Sequence, residues 1–177
     1  MRKIPMLTLV AVLAAAGACG AHEFGLRLNP TASMPVGLWR VSAVDGPLHR
    51  GETVSLCLPT AVSALARQRG YIDGGECPGD YAPLLKPIAA VAGDVVEVGQ
   101  GGISVNGVQL RDSAALAHDE AGRPLQAVPD GRYVVPTGFV WVISEHNPLS
   151  FDSRYFGPVP ASNVLGRASP VFVEGTP

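Results

Sequence analysis

Two side chains in this sequence could act as a nucleophile and its base. The stretch NPTASMPVGLW, residues 29–39, sets Ser33 between Thr31 and Met34-Pro35. The stretch PLLKPIAA, residues 83–90, surrounds Lys86 with Leu84, Leu85, Pro87, Ile88 and Ala89. A serine hydroxyl attacks a carbonyl only when a base within hydrogen-bond reach takes its proton, and a histidine oriented by a carboxylate is the familiar solution. His22 abuts an apolar run, His49 falls in a turn and His118 in an acidic stretch, which leaves His146, six residues before Asp152. A triad of Ser33, His146 and Asp152 is therefore one arrangement, although no G-x-S-x-G elbow surrounds Ser33. Lys86 offers another. As an ordinary strand residue it packs its stem on apolar neighbours and sends its charge to water. If its head is kept from water, desolvation lowers its pKa by up to several units, and the neutral amine can accept a proton.

The elements that must position these residues are short and extended. With 177 residues, 21 glycines, 16 prolines, 47% apolar residues and few aromatics, the chain suits one domain of short strands joined by tight turns. GLWRVSAV and ETVSLCL read as paired strands with Gly46-Pro47 marking the turn between them. TAVSALARQRGY, from Thr60, reads as a short helix with Ala61, Leu65 and Gln68 a turn apart and Gly70 at its end. YAPLLKPIAAVAGDVVEV gives two apolar strands broken at Gly93-Asp94, and GISVNGVQL a hairpin turning at Asn106-Gly107. Residues 111–130 are polar and aperiodic and read as a surface insertion. FVWVISE and RASPVFV supply late strands on either side of HNPLSFDSRYFGPVP.

The first residues differ from the rest. Arg2 and Lys3 precede an uncharged run, IPMLTLVAVLAAAGACGA, residues 4–21. At about 1.5 Å per residue this makes roughly 27 Å of helix, close to a hydrocarbon core of about 30 Å. The basic residues before it place the N-terminus in the cytoplasm and the remainder outside. Residues 1–21 are thus a signal anchor, a signal peptide cut near Ala16-Gly17-Ala18, or a lipoprotein signal modified at Cys19. Residues 22–177 form the exported domain. Export permits oxidation, so Cys57 and Cys77 are expected to form a disulfide. No C-x-x-C pair is present for a zinc ribbon or thioredoxin-type site. A net charge of -2 and scattered basic residues argue against nucleic acid as a partner.

Three segments, TASMPVGLW, LLKPIAAVAGDVVEV and SFDSRYFGPV, are similar in order and spacing to the serine, lysine and aspartate boxes of type I signal peptidases, family S26. NPTASMPVGLW, the cysteines around ARQRGYIDGGECP, and NPLSFDSRYFGPVP resemble more closely the conjugative-transfer, TraF-type branch. The resemblance implies a mainly β, signal-peptidase-like sheet fold with one short helix and an extended substrate groove, preceded by an N-terminal membrane helix, with no metal or organic cofactor. It implies that Ser33 is the nucleophile and Lys86 the base. The Ser33 N–H and the Thr31 hydroxyl would meet the oxyanion, and Asp152, Ser153 and Arg154 would brace the lysine region. It further implies a domain in the periplasm at the bacterial inner membrane. There it would work beside other conjugative-transfer proteins on a pilin precursor, removing a short C-terminal peptide and joining the ends into a ring. Two other readings stand beside it: a general signal peptidase removing leader peptides, and a non-catalytic exported scaffold for pilus assembly.

Overall fold

The computed structural model of the protein describes residues 24–175. The expected membrane helix, the cleavage site and Cys19 lie outside the described residues. Two antiparallel sheets carry the domain. The larger is built from β1 (Leu26–Asn29), β2 (Gly37–Ser42), β3 (Thr53–Leu56), β4 (Leu84–Val91), β9 (Phe139–Val142), β10 (Val159–Pro160) and β11 (Val164–Val173). Its strand order is β1-β2-β11-β3-β4-β9-β10. The smaller joins β5 (Val95–Gly99), β6 (Gly102–Val105), β7 (Val108–Gln109) and β8 (Gly131–Val134) in the order β7-β6-β5-β8. The fold is mainly β, with one short helix, α1 (Thr60–Gln68), and a single helical turn, α2 (Ser153–Phe156).

The expected pairing of the second and third strands is corrected. β11 lies between β2 and β3, with Ala168 opposite Val41 and Arg167 opposite Val54. Gly46-Pro47 turns the chain locally, but the ten-residue last strand fills the gap because it can bond on both edges. Gly37 permits this closeness beside the nucleophile segment. Its φ is +142°, and a Cβ there would stand 2.3 Å from the Phe172 carbonyl oxygen. The Asn106-Gly107 turn is as expected, with φ of 51° and 79° and Val105 paired to Val108.

The core has three connected parts. Ala90 and Trp141 of the large sheet, with Ile143, pack against Val96, Ile103 and Val105 of the small one. Val54, Leu56, Ile88, Val140, Val142 and Val159 fill the large sheet's own face. Leu58, Ala66, Tyr81 and Leu84 gather round the Cys57–Cys77 disulfide. The helix occupies its expected residues but faces inward with Ser63 and Ala66, leaving Leu65 exposed.

Candidate active site

The nucleophile candidate sits in a tight turn between two strands. β1 ends at Asn29 and β2 starts at Gly37, and the two pair in register with Asn29 opposite Gly37. Residues 30–36 must therefore loop out at the edge of the sheet. Asn29, itself buried, organises that loop: its Nδ2 donates to the Thr31, Met34 and Pro35 carbonyls at 2.9, 3.2 and 3.1 Å. Its Oδ1 accepts from the Thr31 hydroxyl at 3.0 Å. Thr31 Oγ1 in turn lies 3.3 Å from Ser33 Oγ. The Trp39 indole donates to the Pro35 carbonyl at 3.0 Å, closing the loop from the far side.

Lys86 lies in β4, opposite Val54 of β3. Burial alternates along β4, so Lys86 shares its inward face with Leu84 and Ile88 while Leu85 and Pro87 point the other way. The sequence suggested that these four and Ala89 surround the amine; strand periodicity removes Leu85, Pro87 and Ala89. Lys86 is 2% exposed. Burial lowers its pKa from 10.5 to about 8, Arg154 adds to the fall and Asp152 opposes it. Among the described residues no hydrogen bond or ion pair holds its amine, and none joins it to Ser33. Ser33 and Lys86 instead line the same groove, a cavity of about 790 Å³ that Thr31 lines as well. β4 pairs with β3 over Leu84–Pro87 and with β9 only from Ile88 onward, so its other edge at Leu84–Lys86 carries no strand among the described residues. That edge offers backbone groups to an extended peptide.

Residues 111–130 wall the groove, with Leu116, Asp119, Arg123 and Leu125 on its lining. The segment lies largely at the surface, as expected of an insertion, and is tied down at several points. Tyr155 OH accepts from Leu116 N at 3.0 Å, and Val128 N donates to the Arg154 carbonyl at 2.9 Å. The Asp119 carboxylate accepts from Tyr71 OH and, at 2.7 Å, from Arg123 Nε, while the Arg123 guanidinium lies 5.5 Å from the Tyr71 ring centre. Tyr71 belongs to the loop that the Cys57–Cys77 bridge closes, so the disulfide steadies the opposite wall.

Beneath the groove, Asp152 and Arg154 form a fully buried ion pair, with Nε and Nη2 each donating to a carboxylate oxygen at 2.8 Å. Asp152 also caps α2 by accepting from Arg154 N at 3.1 Å. Ser153 Oγ accepts from Val142 N at 2.9 Å, which fixes α2 to β9. Arg154 donates onward to the carbonyls of Pro148 and Ser150 at 2.9 and 3.0 Å, so it sets the course of the 147–150 loop. His146 is not brought to Ser33. It lines a separate depression with Met34, Pro87, Arg111, Ser144 and Glu145.

Two polar residues at this site were given no role by the sequence analysis, although Asn147 opens the segment NPLSFDSRYFGPVP. Ser144 Oγ donates to the Ser33 carbonyl, and its N–H donates to Asp152 Oδ2 at 3.0 Å. Asn147 Nδ2 donates to the Ala32 carbonyl at 3.3 Å. Both stand within a few residues of the aspartate segment, and their position there was the only available cue.

A polypeptide-sized groove, a serine on a side-chain-braced turn and a desolvated lysine on an open strand edge suit a serine peptidase of the signal-peptidase type. The chain belongs to that family: residues 2–173 match the model for signal peptidase, peptidase S26. Within it, the chain falls in the conjugative-transfer, TraF branch. It is 44% identical over 163 residues to a probable conjugal transfer protein TraF of Sinorhizobium fredii, covering 90% of this chain and 84% of that one. A plasmid transfer protein TraF of Escherichia coli is 41% identical over 163 residues, covering 91% of this chain and 89% of the relative. A conjugal transfer protein TraF of Agrobacterium tumefaciens is 42% identical over 172 residues, covering 97% and 96%.

Proposed function

We propose that the protein is a membrane-anchored serine peptidase with a Ser33/Lys86 dyad that matures a conjugative pilin precursor. It cleaves a short C-terminal peptide and joins the subunit's ends. The observation that carries this reading is one groove lined by Ser33, Thr31 and a lysine whose burial holds its pKa near 8. The neutral Lys86 amine takes the Ser33 proton as Oγ attacks the scissile carbonyl. The oxyanion is met by the Ser33 N–H and, once its hydrogen leaves Asn29 Oδ1, by the Thr31 hydroxyl. The tetrahedral intermediate collapses, Lys86 returns the proton to the departing amine, and the acyl group remains on Ser33. Attack on that ester by the pilin's own N-terminal amine gives a ring; attack by water gives a linear product.

Direct contact between Lys86 and Ser33 forms in the substrate complex, since hydrogen bonds to a catalytic base are commonly long in the free enzyme. Asp152 does not quench the base, because Arg154 takes both its oxygens. The disulfide fits a domain facing the periplasm, with residues 1–21 anchoring it in the inner membrane. The membership of the TraF branch supports a dedicated pilin substrate over the general removal of leader peptides.

The test is co-expression with pilin precursors from conjugative-transfer operons, followed by intact-mass measurement of the pilin. The expected product has lost a C-terminal peptide and is lighter by one further water, the mark of a closed ring. Ser33→Ala and Lys86→Ala should leave the precursor uncut. A precursor equally processed by either variant removes the dyad. A product without the extra loss of water limits the activity to hydrolysis.

A further inference from the structure

We propose that Asn147, on the loop that Arg154 ties down, is the positioning residue that aims the Ser33 N–H at the developing oxyanion. This rests on the reading of Ser33 as the nucleophile. Every carbonyl from Thr31 to Pro35 is fastened by a side chain from outside the turn. Asn29 holds those of Thr31, Met34 and Pro35, Asn147 that of Ala32, and Ser144 that of Ser33. The N–H groups show the reverse: the Met34 N–H closes the 31–34 turn, but among the described residues those of Ala32 and Ser33 have no hydrogen-bond acceptor. A turn with all these carbonyls paired and two successive donors free is an unusual balance, because unpaired backbone donors are normally rare.

Peptide planarity makes Asn147 decisive for one of these donors. The Ala32 carbonyl and the Ser33 N–H belong to a single planar unit, and in a trans peptide they point in opposite directions. The described residues contain no cis peptide. Holding the Ala32 oxygen on Asn147 Nδ2 therefore turns the Ser33 N–H away from the 144–150 loop and keeps it available. Without that bond the peptide plane can rotate, and the donor no longer waits in the direction where negative charge develops. Preorganisation of this kind is what gives an oxyanion donor its effect.

Asn147 is itself positioned from below. Arg154 Nη2 donates to the Asn147 carbonyl at 3.4 Å, and Arg154 Nη1 to the Pro148 carbonyl at 2.9 Å. Asp152 holds Ser144 through its N–H at 3.0 Å. The buried Asp152–Arg154 pair thus reaches the nucleophile turn through two side chains, Ser144 and Asn147, one on each peptide flanking Ser33.

The test uses the full chain in detergent micelles with p-nitrophenyl acetate as probe, counting only the acylation that Ser33→Ala abolishes. Asn147→Ala, and Asn147→Leu, which keeps the volume without the donor, should slow single-turnover acylation by about ten- to a hundredfold. That is less than the roughly hundred- to thousandfold loss on deleting a donor outright. The melting temperature and the pH at which the rate rises should stay where they are. A merely structural role would loosen the groove, hydrate Lys86 and move that rise to higher pH. Acylation by Asn147→Leu at the wild-type rate, or a loss accompanied by such a move, overturns the proposal. Undiminished acylation by Ser33→Ala instead overturns the reading on which it rests.

Discussion

The buried lysine makes a quantitative demand on the pH dependence of the enzyme. The fall of the Lys86 pKa from 10.5 to about 8 corresponds to about 3 kcal/mol, at roughly 1.4 kcal/mol per tenfold change. At pH 7 it raises the neutral fraction from about one molecule in three thousand to about one in ten. Val54, fully buried and directly opposite Lys86 across β3 and β4, is part of the wall that causes the fall. Val54→Thr keeps the shape and puts a hydroxyl beside the amine. A hydrogen bond to a charged group contributes about 1.5–3 kcal/mol, so the ammonium should be favoured by at least about one pH unit. The rising limb of kcat/KM against pH should move up by that amount. At pH 7 the rate should fall about tenfold, and the two enzymes should converge above about pH 10.5. The assay is kcat/KM from pH 6 to 11, with the melting temperature as a check on folding. A folded Val54→Thr enzyme with its limb unmoved would refute Lys86 as the titrating base. Ile88, on the same face as Lys86, suits a second such variant; Leu85 does not, because it points away.

Lys86→Met should be inactive yet more stable than the wild type at pH 7, by up to about 3 kcal/mol. The unfolded chain binds more protons than the native one between about pH 8 and 10.5. Wild-type stability therefore rises with pH across that window and the advantage of Lys86→Met disappears, which thermal melts at several pH values measure. Arg154→Met leaves a buried carboxylate unpaired and should cost about 3–5 kcal/mol in denaturant unfolding, with loss of turnover. Cys57→Ser with Cys77→Ser should cost about 3 kcal/mol by opening a loop of 20 residues. Because that loop walls the groove, KM should rise while acylation at saturating substrate is retained. His146→Ala should keep most activity, since its ring lines another depression; loss equal to that of Ser33→Ala would restore the histidine triad.

What the sequence disclosed was mostly local. Asn106-Gly107 announced its hairpin because both residues accept positive φ, and Gly70 marked the end of α1 for the same reason. Cys57 and Cys77 could be paired because they are the two cysteines of the exported part. The pairing of β2 with β3 failed because strand neighbours are decided by the whole sheet: β11, more than a hundred residues downstream, outbids the adjacent strand. At the site, Ser33 and Lys86 were candidates by residue type, but their roles came from the resemblance of three ordered segments to the signal-peptidase boxes. Asn147 and Ser144 were given no role, being common polar residues in a loop. Their importance lies in which carbonyl each one meets, and only the folded chain specifies that. The groove wall at residues 111–130 was missed for a related reason, since its order comes from partners on α2 and the disulfide loop rather than from its own periodicity.

The most direct test of the account is to catch the acyl-enzyme. Wild-type protein quenched in acid during turnover of p-nitrophenyl acetate, then digested and mapped by mass, should carry one acetyl group on the peptide containing Ser33. The same peptide from Lys86→Met should remain unmodified on that timescale. An acetyl group that forms on Ser33 equally fast without Lys86, or turnover that persists in Ser33→Ala with no adduct in the 29–39 segment, would contradict the serine–lysine mechanism.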